Sequence, residues 1–506
     1  MDAAAATADD VVSTPSSFFL FASLCISRTS RRKSPLVPGV CLLPITNEET
    51  IMTTRPYCIT TAVLLLLGAH GPGHAQSADV QTDATPDATV HSDPTKEFVK
   101  KVNDATGLEF WGYGRGGGYR AHNGMQKGGY SLGGDLQKYR LGNEGDNYLE
   151  FGMGKRFDIG NGVQWGAFYM PAVYNSQSST KQLYFSLEGI FGNAATLWVG
   201  QRYHRIQDVH IVDHWILEDG DNYGVGVDNI PIGSWGKLNV AAHTADSIDN
   251  QQGNPNNAKR LNVQWRDIPA NNDGKFTMTG ALISGDFAKG KNGGALGFMH
   301  TQKNFLATGI DNIVLLQAST GHASISGKFY HLDNRIGDAN LLWPLSGETN
   351  HPTGLSGPVR TRSVFAPQAG ATQRRILDSV NFQIGRFGGQ TLIGYQTTRS
   401  DESPETKDLS LGGRLSYGMT NHTKLLAELA ATRRSVGDLP RQSLYKSTVA
   451  AAFSPSTDFW SRPELRIYAT RANWNRAAAD ANSSGFGANG RRGATTFGIQ
   501  LEAWWG

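Results

Sequence analysis

The sequence predicts an all-β protein, a transmembrane antiparallel β-barrel, and three observations carry that expectation. The first is composition: 60 of 506 residues are Gly and only 39% are hydrophobic, yet the chain holds 11 Trp, 16 Tyr and 22 Phe. So polar a chain cannot supply a bundle of membrane helices, each of about 20 apolar residues, and so aromatic a chain is no solvated tail. The second is an apolar/polar alternation of period two in long segments. The third is an export signal near the start and an aromatic-rich strand at the end. Net charge is +3 with the two signs nearly balanced, so no basic face points to nucleic acid.

Taken from the N-terminus, the chain shows its export signal at Met52, where it reads MTTRPYCITTAVLLLLGAHGPGHAQ. Arg55 is the basic flank, Tyr57 to Ala69 the apolar stretch, and Gly73 and Ala75 the small residues before a cut ahead of Gln76. The apolar stretch is too short to span as an anchor. Met52 is therefore expected to be the true start, with 1–51 a mis-called extension and 52–75 the signal peptide. The rival signal, Ser17–Ile26, lacks a good cleavage site after it. Cys25, Cys41 and Cys58 all precede Gln76, so the exported chain needs no disulfide. Residues 76–106 are polar and read as a periplasmic arm, in which Lys96–Val102 (KEFVKKV) suits a short helix. Residues 107–506 form the barrel domain.

Within that domain, Leu261, Val263 and Trp265 alternate with Asn262, Gln264 and Arg266. Leu409, Leu411, Leu415 and Tyr417 face away from Asp408, Ser410, Arg414 and Ser416. Phe497, Ile499, Leu501 and Trp505 alternate with Gly498, Gln500, Glu502 and Trp504. A soluble sandwich would use strands of about 5–6 residues, whereas a membrane barrel uses about 9–11. The segments here are long, and the connections Ala245–Lys259 and Gly337–Arg362 are long and rich in Gly and Asn. A closed barrel also satisfies every backbone group in lipid and leaves no sheet edge.

The polar face carries single aromatics among charges. Tyr113 lies between Glu109 and Arg115, Tyr148 shares a face with Glu150, and Trp504 follows Gln500 and Glu502. Lone aromatics in a wet lumen are expected to have few structural partners. They fit a stacking surface for sugar rings with charged groups alongside for the hydroxyls; the plain alternative is a rim or girdle of aromatics.

Five stretches together resemble one family, the maltoporins, which are sugar-specific outer-membrane porins. They are Leu108–Arg115 (LEFWGYGR), Lys138–Glu144 (KYRLGNE) with Asp146–Glu150 (DNYLE), Thr196–Asp213 (TLWVGQRYHRIQDVHIVD), Trp460–Asn475 (WSRPELRIYATRANWN) and Thr496–Trp505 (TFGIQLEAWW). In family order they cover residues 108–505. The resemblance implies an 18-stranded barrel that assembles as a homotrimer in the outer membrane of a Gram-negative bacterium. It implies an aromatic slide that guides an oligosaccharide such as maltose or a maltodextrin, and an inward-folded loop that narrows the channel. Carried over by position, Tyr113, Tyr148 and Trp504 match slide aromatics, and Arg115, Arg140 and Glu150 match the polar track. Asp208, Asp213 and Glu218 match the constriction, with Trp215 where the family has Tyr or Phe. No cofactor or metal is implied, and long outward loops suit a phage receptor.

The sequence also departs from the family. The segment after Met170 (PAVYNSQSSTKQ) is short and has no Trp, so the aromatic that one subunit lends its neighbour is missing. Positions around Ile313 and Asp408–Leu409 are not aromatic, Ile206 stands where the arginine belongs with Arg205 beside it, and the first loop lacks the cysteine pair. These losses favour a shorter or different sugar, and they keep open a general diffusion porin or a recognition barrel.

Two other motifs carry no chemistry. Gly112, Gly114 and Gly117 spell GxGxxG, but Gly118–Gly124 is not the helix that a dinucleotide site needs; close packing explains the glycines better. His210 and His214 flank Asp213, yet in an extended segment they would lie about 13 Å apart, too far to share a metal. With no HExxH or Walker sequence, no enzyme is expected.

Overall fold

The computed structural model describes residues 94–121, 129–244, 257–287, 291–330, 370–401, 403–486 and 490–506. The expected extension and signal peptide, the arm before residue 94, and most of the two long loops named above lie outside them. The arm ends in helix α1 (Pro94–Thr106), which contains the short helix expected over Lys96–Val102, extends it at both ends and is braced by a Lys100–Asp104 pair at 2.6 Å.

Twenty strands follow among the described residues, in chain order: β1 (Glu109–Ala121), β2 (Tyr148–Gly160), β3 (Val163–Tyr174), β4 (Gln177–Glu188), β5 (Thr196–Arg202), β6 (Arg205–Val209) and β7 (His214–Asp219). Next come β8 (Asn222–Pro231), β9 (Lys237–Thr244), β10 (Lys259–Asn271), β11 (Gly274–Ser284), β12 (Gly293–Gln302) and β13 (Ile310–Thr320). The last seven are β14 (Ala371–Ile384), β15 (Phe387–Ser400), β16 (Thr406–Gly418), β17 (Thr423–Val436), β18 (Gln442–Phe453), β19 (Glu464–Trp474) and β20 (Gly493–Trp505). Eighteen of them form one antiparallel sheet, and β6 and β7 pair only with each other. Neighbours in sequence are neighbours in the sheet, and β1 pairs with β20 from Gly112↔Trp505 to Ala121↔Thr496, so the sheet closes on itself. Closure leaves no edge, as lipid requires.

The alternation fixes which face meets lipid. Leu282, Leu296, Leu411, Leu429, Val449 and Ile467 are all more than half exposed, while their polar neighbours Glu428, Arg466 and Thr470 are fully buried. An exposed apolar surface of this extent suits hydrocarbon, not water. Outward aromatics gather near the strand ends, as in the stacked Phe157–Trp165 pair (4.3 Å) and Phe387–Tyr417 (4.7 Å), which is the interfacial girdle of a membrane barrel. Close packing explains two of the motif glycines: a Cβ on Gly112 would sit 2.2 Å from the Trp505 indole, and one on Gly117 would sit 2.2 Å from the Ile499 carbonyl.

Inside, buried charges form a lattice across neighbouring strands. Arg414 binds Glu428 at 2.7 Å, Lys446 binds Glu428 at 3.0 Å, Lys424 and Arg466 each bind Glu464 at 2.5 Å, and Arg466 binds Glu502 at 2.5 Å. Each charge has its counter-ion, and removing one partner of such a pair typically costs about 3–5 kcal/mol. On the inner wall of β12 to β17 the pattern changes to apolar. There Met299, Ile313, Leu315, Leu377, Leu392 and Ala430 pack with Ile206, Val209, Ile211, Val212, Ile216 and Leu217 of the β6–β7 hairpin. The hairpin is thus seated on the wall through a shared apolar core.

Candidate functional site

Among the described residues, two chain segments fold into the lumen. The first, within residues 129–147, is pinned by the Tyr139 hydroxyl on Ser410 (2.9 Å) and by Glu428, which accepts from the Leu141 N–H at 3.0 Å. The second is the β6–β7 hairpin, and the two meet where the Arg140 N–H donates to the Ile211 carbonyl at 2.8 Å. Both are held by the inner faces of strands, which is why their sequences mix charge with aliphatic residues.

Four aromatics line the adjoining wall on adjacent strands. Tyr174 (β3) is the cross-strand partner of Tyr148 (β2), with ring centroids 6.2 Å apart. Tyr148 lies 6.1 Å from Tyr113 (β1), and Tyr113 is the register partner of Trp504 (β20). Tyr113 and Tyr148 are half-buried, whereas Trp504 is only 5% exposed. The Arg462 guanidinium lies 4.1 Å from the Trp504 ring, and His210 meets its edge at 5.4 Å. The lumen aromatics therefore have more partners than expected: Arg115 and Arg140 also lie over the Tyr113 ring at 5.9 and 5.7 Å. These are cation–π contacts that fix ring orientation.

The charged residues pair with one another. Arg140 is 2% exposed; it donates to the Tyr113 hydroxyl and pairs with Glu144 at 3.1 Å and Glu502 at 2.9 Å. Arg115 pairs with Asp146 at 2.8 Å and with Asp213 at 3.3 Å. Glu150 accepts from the hydroxyls of Tyr148 and, at 2.5 Å, Tyr203. Its role here is to hold two tyrosines.

Of the hairpin residues, Asp213 sits at a left-handed turn (φ 56°) and gathers Lys138, Arg115 and Arg140. Burial opposes its charge, but the three cations hold its carboxyl far below the usual range. Burial likewise opposes the Glu144 carboxylate, and the same cations hold its pKa at about 2. Asp208 goes the other way, because burial and the Asp213 charge push its carboxyl up to about 7. Trp215 is half-buried, with Arg205 at 5.7 Å from its ring. Glu218 is 1% exposed and binds His204 (2.7 Å) and Asn262 (2.9 Å), so it ties the hairpin to the β10 wall.

The segment around His210 is not extended as expected. Residues His210–Val212 form a 3₁₀ turn, which sends His210 toward Arg140 and Arg462 (3.2 Å each) and His214 toward Asp135 and Arg375. Burial pushes the His210 imidazole down to about 3, so it is neutral between the two guanidiniums. Among the described residues no group of His, Cys, Asp and Glu is arranged to hold a metal.

The departures from the family have physical accounts. Ile206 and Ile313 belong to the core that seats the hairpin, so an aromatic at Ile313 would have no open lumen to face. Arg205 binds Asp221 at 2.5 Å and lies 3.4 Å over the Tyr203 ring. Asp408 pairs with Arg434 at 2.9 Å, and Leu409 points outward. Sequence reasoning missed Tyr174. Tyr174 keeps the inward parity of Phe168, Met170 and Ala172 on β3 and lies opposite Tyr148, so alternation together with the β2–β3 pairing was a usable signal.

Residues 108–505 match the LamB porin family. The chain belongs to that family. It is an outer-membrane porin of a Gram-negative bacterium, a channel built on a closed 18-stranded barrel. The porin is also similar to solved barrels. One is the outer membrane channel DcaP of Acinetobacter baumannii (10% identity, TM-score 0.42, covering 78% of this chain and 96% of that one). Others are OprD of Pseudomonas aeruginosa (8%, 0.40, 78% and 94%) and the trimer form of OmpT of Vibrio cholerae (9%, 0.39, 79% and 99%). The family assignment rests on the LamB match alone.

Proposed function

We propose that this porin passes sugars by facilitated diffusion, with maltose, a short maltodextrin or a related oligosaccharide as substrate. The observation that carries the reading is the row of half-buried rings, Tyr148 and Tyr113, leading to Trp504 between Arg115, Arg140 and Glu150. Stacking on each aromatic face contributes about 0.5–1.5 kcal/mol beyond buried area. Hydroxyls exchange water for the paired charges alongside, and several weak, near-equal steps attract a sugar and still release it. The β6–β7 hairpin, bearing Asp208, Asp213 and Trp215, narrows the passage, with Glu218 as its anchor. In this reading the porin assembles as a homotrimer in lipid, and its outward loops serve as a phage receptor.

A second reading, a general diffusion pore, draws on the mutual pairing of the charged residues and the covered face of Trp504. Single-pore conductance of the mature protein in a planar bilayer separates the two. Concentration-dependent closure by maltose, longer maltodextrins or sucrose establishes the track and names its sugar. Steady ion current through all of them leaves the general pore.

A further inference from the structure

We infer that Tyr174 is the mouth step of the sugar track, so that a single chain builds the whole row from the outer mouth to Tyr113; this rests on the sugar-channel reading. Four observations place it there. Tyr174 pairs in register with Tyr148, which puts both side chains on the inner face. Their rings meet edge to face at 6.2 Å, almost the 6.1 Å spacing between Tyr148 and Tyr113. Tyr174 is 48% exposed, against 5% for Trp504 at the other end, so the row opens progressively toward this residue. The β3–β4 turn lies on the same side of the barrel as the long loops, which in such barrels is the cell exterior.

The turn is also held in place. The Asn175 N–H donates to the Asn147 carbonyl at 2.7 Å, and the Asn147 N–H donates to the Asn175 side-chain oxygen at 3.1 Å. These two bonds fasten the turn to the start of β2, the strand that carries Tyr148. Asn175 takes a left-handed conformation (φ 54°), for which Asn is well suited. An exposed ring on so short and fastened a turn loses little freedom when a pyranose stacks on it, which favours capture. Three rings at this spacing match a di- or trisaccharide laid along the wall. A longer chain would extend past Tyr174 into solvent.

The test is current-noise analysis of sugar block in planar bilayers, with maltose, maltotriose and maltohexaose added to one side at a time. The parent is compared with Tyr174→Ala, Tyr174→Phe and Tyr148→Ala, each first checked for folded, heat-modifiable migration in gels. Tyr174→Ala is expected to slow capture from the loop side by about two- to tenfold, with a smaller change from the turn side, and Tyr174→Phe to retain the parent rate. Maltohexaose is expected to gain little affinity over maltotriose. If Tyr148→Ala weakens block while Tyr174→Ala keeps parent rates from both sides, Tyr174 is not a step of the track, though the channel remains a sugar channel. If no sugar blocks the parent, the sugar-channel reading itself fails and takes this inference with it.

Discussion

Replacing Asp213 by Asn removes one negative charge from the tip of the lumen hairpin with little effect on the backbone. Asn tolerates the left-handed conformation at this position (φ 56°), and the capping N–H of residue 213 still reaches the His210 carbonyl. The carboxylate gathers Arg115 at 3.3 Å, Arg140 at 3.4 Å and Lys138, and its side chain is 31% exposed. Each partly solvated pair contributes roughly 0.2–1 kcal/mol, so the hairpin stays seated on its apolar core. The larger effect falls on passing ions. A monovalent ion about 7 Å away across water feels about 0.6 kcal/mol from one charge, falling to about 0.3 kcal/mol with physiological screening. Losing the charge disfavours cations and favours anions by that amount, so the cation-to-anion permeability ratio should fall by about two- to eightfold. The assay is the reversal potential of the purified porin under a KCl gradient, repeated at higher salt, where the change should shrink. A reversal potential equal to that of the parent at low salt would falsify the placement of Asp213 on the ion path.

Three further outcomes follow from the same geometry. Trp504→Ala should weaken sugar block by about threefold at most, since the ring is 5% exposed, while leaving ion conductance intact or raised; an unchanged sugar affinity removes Trp504 from the track. Glu150→Gln keeps one acceptor for Tyr148 and Tyr203 but loses the charge, a loss of about 1 kcal/mol or fivefold in sugar affinity. Folded yield should be unchanged, and failure to fold would make this carboxylate structural. Asp208, whose carboxyl is pushed up to about 7, ionises as pH rises through that value, so cation selectivity should increase from well below to well above pH 7. Because the fold raises this pKa, the protonated group favours folding most at low pH and that contribution is lost as pH rises through about 7. Asp208→Asn should flatten the selectivity change, and a variant that still shows the full pH response would assign it to another group.

How much of the site the sequence reveals depends on whether a residue sits on a strand. Tyr113, Tyr148, Glu150 and Trp504 lie on β1, β2 and β20, where a period of two tells the inner face from the outer. Arg140 and Asp213 lie on irregular inward-folded segments, and Asp208 and Glu218 on the short β6 and β7, which stand outside the barrel sheet and so have no lipid-facing side to set a pattern; only the family likeness pointed to these four. Their partners were not legible. The pairing of Arg140 with Glu502 spans most of the chain, and the contact of His210 with Arg462 joins the hairpin to a segment 252 residues away.

The sequence by itself determined the barrel, because lipid demands an apolar outer face and strands alternate sides, so each segment carries its own instruction. It also determined the order of strands, since each pairs with its sequence neighbour through a turn or loop. Only the tertiary structure decided what the lumen holds. Barrel closure brings β20 beside β1 and so sets Trp504 against Tyr113. The apolar patch on the inner wall of β12 to β17 is a plain departure from alternation in one dimension, and becomes a seat only when the β6–β7 hairpin folds onto it. Charges that look in sequence like a ready binding track spend themselves on one another, because a confined lumen makes an unpaired charge costly and brings distant counter-ions within reach.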